Sequence, residues 1–101
     1  MNSNFVAKKA LGHAQLTSID ASTLLSSVTG GIPVGTTIAL ITPQSQAVRW
    51  RDDGTAPTAT VGYPLAISSE LVYTSQSMGN LRFISQVAGA AINIAFYGST
   101  T

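Results

Sequence analysis

Apolar and polar positions alternate with a period of two over short stretches, and turn residues interrupt them at roughly ten-residue intervals, a strand pattern rather than a helical one. The clearest stretch is Thr36-Thr37-Ile38-Ala39-Leu40-Ile41-Thr42, apolar and β-branched between Gly35 and Pro43, which predicts a buried strand. Thr42-Pro43-Gln44-Ser45 then reads as a tight connection into a strand over Gln46–Arg51, and these two strands are expected to pair as an antiparallel hairpin. Gly12–Ile19 predicts a half-exposed strand. Asp20–Val28 is dense in Ser and Thr and ends at Gly30-Gly31; a short strand or irregular segment is expected there, with a helix capped by Asp20 or Ser22 as the alternative.

Further on, Tyr63–Ile67 predicts a short strand that Pro64 confines to an edge or to a first strand position, and Glu70–Thr74 another. Ser75–Asn80 is a polar connection. Leu81–Ser85 alternates, with Leu81, Phe83 and Ser85 on one face and Arg82 and Ile84 on the other. In Ala90–Tyr97, Ile92, Ile94 and Phe96 share a face and Asn93, Ala95 and Tyr97 the opposite one. About seven to eight strands with turns between them predict an all-β chain, a small antiparallel sandwich or barrel. The expected organisation is an N-terminal arm over residues 1–11 and one domain over 12–101. Its core is expected from Ile38, Leu40, Val48, Trp50, Leu65, Ile67, Leu71, Tyr73, Phe83, Ile92, Ile94 and Phe96.

The chemistry of the chain gathers in Val48-Arg49-Trp50-Arg51-Asp52-Asp53-Gly54-Thr55-Ala56-Pro57, which holds the single Trp. In a strand, Val48 and Trp50 point to one face, and Ala47, Arg49 and Arg51 to the other, so a core face is backed by a basic row. Asp52-Asp53-Gly54 ends the strand in a turn, and the chain from Asp52 to Gly62 reads as loop. Arg49, Arg51 and Arg82 have two readings: ion pairs with Asp52, Asp53 or Glu70, or an interface with another protein, where Arg and aromatic residues are enriched. Trp50 shares its face with Val48 and is placed in the core, an interface anchor being the alternative.

Composition narrows the classes. Only 9% of residues are charged, and the net charge is +1, so the clustered Lys and Arg of a nucleic-acid binder are missing. A neutral surface rich in hydrogen-bonding groups suits packing against protein. There is no Cys, which excludes disulfides and thiolate chemistry and suits assembly in a reducing cytoplasm. No uncharged apolar run approaches the roughly 20 residues of a membrane span, and the first residues lack the apolar core of a signal peptide. His13 is the one imidazole, Asp52-Asp53 lacks the spacing of a Ca²⁺ loop, and no G-x-S-x-G elbow is present. No cofactor, no metal and no enzymatic activity are expected. The first residues carry Phe5, Lys8 and Lys9; they are expected either to dock on a partner or to add an edge strand to their own sheet.

The segment Arg49-Trp50-Arg51-Asp52-Asp53-Gly54-Thr55-Ala56-Pro57-Thr58, with Gly62-Tyr63-Pro64-Leu65, Leu81-Arg82-Phe83-Ile84 and Ile92-Asn93-Ile94-Ala95-Phe96-Tyr97, resembles a group of small tailed-phage virion structural proteins. They share an R-[WY]-R-D-D-G-x-x-P-T segment, and the likeness spans roughly residues 36–98. The resemblance implies a capsid cement, or decoration, protein with a β-sandwich of jelly-roll-like form. Such a protein would be assembled in the bacterial cytoplasm and bound to the outside of the shell of the phage major capsid protein. A dimer or trimer on a shell symmetry axis is the economical arrangement, with neither nucleic acid nor membrane as partner. Interface candidates are Phe5, Lys8, Lys9, Arg49, Arg51, Asp52, Asp53 and Arg82. The alternative is a carbohydrate- or receptor-binding module of a head fibre or tail, with Trp50 or the tyrosines as stacking platforms.

Overall fold

The structure is a computed structural model and describes residues 8–99. Eight strands form: β1 (Lys8–Leu16), β2 (Thr23–Leu24), β3 (Thr36–Gln44), β4 (Val48–Arg51), β5 (Tyr63–Leu65), β6 (Leu71–Tyr73), β7 (Arg82–Ser85) and β8 (Ala91–Ser99). Two short 3₁₀ turns, Leu25–Ser27 and Gln76–Asn80, complete the regular structure. Among the described residues no helix is long and apolar enough to cross a membrane.

The strands make two four-stranded antiparallel sheets, in the orders β1-β8-β3-β6 and β2-β7-β4-β5. First pairs with last, second with seventh, third with sixth and fourth with fifth. This is a jelly roll: a long hairpin rolled up so that the chain alternates between sheets and stays in one only from β4 to β5. The expected all-β sandwich is therefore present, in the jelly-roll form.

The expected β3–β4 hairpin is not. Thr36–Gln44 is hydrogen-bonded on both edges, to β8 and to β6, so it has no free edge for β4. Ser45, at a φ of 75°, turns the chain out of the first sheet, and β4 begins the other. The two strands share a core, not an edge.

Ile19, Leu25, Ile41, Val48, Leu81, Phe83, Ile92 and Ile94 form the fully buried centre, with Phe96 and Tyr73 beside them. Ile38 and Leu40 are not in it. Ala39 and Ile41 take the inner face of β3, and alternation turns Ile38 and Leu40 outward. Ile67 is exposed because β5 stops at Leu65 and Ser68 turns at a φ of 66°. Trp50 and Leu71 pack against the core while remaining half-buried. The region 20–28 is the irregular segment expected, one short strand bridge followed by a 3₁₀ turn. The first strand, expected to start at Gly12, starts at Lys8, so residues 8–11 of the proposed arm are edge strand, paired with the end of β8. Phe5 lies outside the described residues.

One polar anchor holds the β7–β8 turn. Asp20 Oδ1 accepts from Ser85 Oγ at 2.8 Å and from the Gly89 amide at 3.0 Å, while the Ser85 amide donates to the Ile19 carbonyl at 2.7 Å. The Gly89 and Ser85 bonds hold the Asp20 carboxyl below the ordinary carboxylate range.

Candidate functional site at the β4–β5 loop

The loop from Asp52 to Gly62 joins β4 to β5, the one connection that stays within a sheet. Three aromatic rings close this end of the sandwich. Trp50 on β4 and Tyr63 on β5 are register partners, and their rings stack at 5.2 Å. Tyr73, from β6 of the other sheet, meets Trp50 edge-on at 6.1 Å. Its hydroxyl donates to Asp52 Oδ2 at 2.6 Å, which ties the start of the loop to the opposite sheet. Burial first, and the Asp52 bond second, push the Tyr73 phenol up from its ordinary value, so it stays protonated and a donor.

The arginines expected to form a basic row do face the same way, and each is engaged by the loop. Arg49 donates from Nη1 to the Gly62 carbonyl at 2.8 Å and from Nε to the Ala59 carbonyl at 3.2 Å. Arg51 grips Asp53 bidentately, at 3.1 and 2.5 Å. The Arg51 bond is the main reason that the Asp53 carboxyl is pushed down to about 2, and the same bond raises the Arg51 guanidinium. Asp53 Oδ1 also accepts from the Thr55 amide at 3.3 Å, an Asx turn that Gly54 completes at a φ of 85°. At the far side, the Thr58 amide donates to the Val61 carbonyl at 2.8 Å, and Thr58 Oγ1 accepts from the Val61 amide at 2.9 Å. Gly62 takes a φ of 142° where a Cβ would stand 3.1 Å from Pro57 and 3.2 Å from Arg49.

The loop is thus braced at its start, middle and end, over a buried Pro57. Its exposed tip, Gly54–Ala56 and Thr58–Val61, carries no charge. Beside it Trp50, Arg51, Asp52, Asp53, Gly62 and Tyr63 line an open depression of about 300 Å³, and Tyr63 is 69% exposed. An exposed ring beside carboxylate oxygens can stack on a flat apolar face and accept hydrogen bonds from hydroxyls.

The structure gathers Arg49, Arg51, Asp52, Asp53 and Arg82 in one region of the β2-β7-β4-β5 sheet. Arg82 stands directly opposite Arg51, and its buried Nε has no hydrogen-bond partner among the described residues. Glu70 belongs to the other sheet's edge and pairs with none of them. Lys8 and Lys9 begin β1, also in the other sheet. The sequence reading did not foresee the bracing by Gly62 and Thr58, or Asp52 tied to Tyr73. A Thr three residues before an amide partner, followed by Gly, was the available signal for the first.

Chemistry elsewhere is sparse. Among the described residues no three His, Asp or Glu side chains gather as a metal site. His13 and Glu70 line a second depression, of about 210 Å³, on the outer face of the β1-β8-β3-β6 sheet. They stand on its two outermost strands or their ends, three strand spacings or about 14 Å apart, beyond reach of a shared proton.

Compared with protein-family models, curated proteins and solved structures, the chain matches none.

Proposed function

We propose that the protein is a cement, or decoration, protein of a tailed-phage head, bound to the outside of the shell of major capsid protein and assembled with it in the bacterial cytoplasm. The observation that carries this reading is the braced loop. The segment through which the chain resembles small virion proteins, Arg49–Thr58, spends its charged groups on internal hydrogen bonds and presents an uncharged tip. A loop already fixed in shape loses little further entropy on docking, and a tip without charge asks for little desolvation. Weak contacts of this kind hold firmly when repeated over many equivalent shell sites and shared within an oligomer.

Co-sedimentation with capsids of the parent phage that lack this protein tests the reading. Wild-type protein is expected at a fixed high copy number. Val61→Asp, which charges the tip without touching the braces, should lower occupancy at least tenfold, and deletion of residues 1–7 should lower it without changing thermal stability. Wild-type protein that stays in the supernatant, or a Val61→Asp variant that binds equally well, overturns the proposal.

The exposed Tyr63 ring over Trp50 favours a second reading, a glycan-binding module of a head fibre or tail. Titration of the ¹⁵N-labelled protein with host surface glycans distinguishes the two. Saturable shifts at Tyr63 and Asp53 that vanish in Tyr63→Ala, together with no capsid binding, would put this reading first.

A further inference from the structure

The outer face of the β1-β8-β3-β6 sheet carries an apolar patch in its middle rows, bordered by the polar row of Gln15, Asn93 and Thr42. Register places His13, Ala95, Leu40 and Val72 in one row across all four strands, and Tyr97 beside Ile38 in the adjacent row. Val72 is 54% exposed. β3 reads as apolar in both phases of its alternation, as strands covered on both faces do, yet the sandwich covers only one. The outer face of the other sheet, with Arg49, Arg51 and Arg82, shows no such pattern.

We propose that this face is the interface of a symmetric homodimer, two copies packing sheet to sheet about a two-fold axis along the mean strand direction. The inference does not depend on what else the protein binds. Rotation about that axis keeps each row at its own height and reverses the strand order β1-β8-β3-β6. Ala95 then faces Leu40 of the second copy and Leu40 faces its Ala95, so large meets small twice. The depression of about 210 Å³ has Ala95 in its lining, and the incoming Leu40 fills it. In the next row Tyr97 meets Ile38, and the reverse.

The polar groups agree with this arrangement. His13 and Glu70 sit toward opposite edges of the sheet, and the rotation sets His13 opposite Val72 of the second copy, with that copy's Glu70 in the neighbouring row, where its carboxylate can accept from an imidazole N–H. At one end of the patch Gln15 Nε2 donates to Asn93 Oδ1 at 3.1 Å and Asn93 Nδ2 to Gln44 Oε1 at 2.8 Å. This amide ladder is already satisfied and forms a polar rim. In area, nine residues of β3 span about 31 Å and four strands about 19 Å, so the two faces together bury at most about 1,200 Å². That is the lower edge of specific interfaces, and it predicts a reversible, concentration-dependent dimer.

Sedimentation equilibrium from micromolar to submillimolar concentration reads the association directly. Wild-type protein should pass from monomer to dimer, and Val72→Lys or Leu40→Arg should weaken the dimer by roughly 10-fold or more, with unchanged far-UV circular dichroism. The chain has no Cys, and Leu40 and Ala95 are neighbours within one copy, so an equimolar mixture of the single variants Ala95→Cys and Leu40→Cys gives a background-free second test: oxidation should trap a covalent dimer of one variant with the other, whereas Ile84→Cys on the other sheet should give no covalent dimer. A wild-type chain monomeric throughout, or a dimer indifferent to Val72→Lys and untrapped by the Cys pair, overturns the proposal. So does a monomer whose Val72→Lys variant loses capsid binding, since the face would then belong to the shell.

Discussion

Arg49 shows how one side chain decides the shape of a loop. Its two donors reach carbonyls ten and thirteen residues along the chain, and one of the bonds is partly buried. Arg49→Ala leaves the Gly62 carbonyl without its charged partner and should destabilise the fold by about 1–2 kcal/mol. In a domain of this size that lowers the melting temperature by about 4–15 °C in a thermal scan. Arg49→Lys should recover only part of the loss, because an ammonium cannot span both carbonyls as the guanidinium fork does. Asp53 and Asp20 set the acid limit. Both carboxyls titrate below the ordinary value of 3.8 in the folded chain, Asp53 at about 2. Above about pH 5 they are ionised in both states, and their bonds contribute in full. As pH falls, the unfolded chain takes up protons first, so stability is lost from about pH 4 down to 2. Urea unfolding at stepped pH should show a plateau above pH 5 and a decline below 4. Asp20→Asn/Asp53→Asn should start lower and decline less steeply; an identical slope in the variant would remove these two groups as the cause.

At the level of the strand, β8 is the element most tightly constrained, since it lies between β1 and β3. Gly98 faces inward where a Cβ would come within 2.6 Å of the Gly35 carbonyl oxygen and 2.8 Å of Leu11. Gly98→Ala must push a backbone aside and should cost about 1–3 kcal/mol by chemical denaturation, though Ala is the better strand former. Strand phase was legible in the sequence where the two faces contrast. Val48 and Trp50 against Arg49 and Arg51, Phe83 against Arg82, and Ile92 and Ile94 against Asn93 all fell on the expected sides. In β3 both phases are apolar, alternation carries no phase information, and the larger residues Ile38 and Leu40 misdirected the choice. Ile19, Leu25, Val28 and Met78 were missed because they bury from irregular segments or 3₁₀ turns, where neither period applies. In the candidate site, the Arg51–Asp53 grip is two residues long and readable. The Tyr73–Asp52 bond crosses between sheets over 21 residues and became visible only with the topology.

For the whole molecule, that topology has consequences of its own. The jelly roll pairs the first strand with the last, with Lys8 opposite Ser99 and Gln15 bonded to Asn93 at a separation of 78 residues. Closing so long a loop before any contact rewards it makes folding slow, in the millisecond to second range typical of all-β sandwiches. Because the ends of the described chain lie side by side, a short Gly-Ser link between them should permit circular permutation. The link turns β8–β1 into a local hairpin and should speed folding, read as a shorter relaxation time at low denaturant. Where the new termini are cut then separates architecture from function. A permutant opened between Val87 and Ala88, both exposed, should fold and keep the capsid occupancy of the chain that lacks residues 1–7. One opened between Ala59 and Thr60 keeps every strand pairing but severs the braced loop near its tip, and removes the fixed Ala59 carbonyl from Arg49. It should fold to the same circular dichroism spectrum with occupancy lost. If both permutants fold and both bind, the loop is a structural brace and nothing more, and the docking surface has to be sought on the sheet faces.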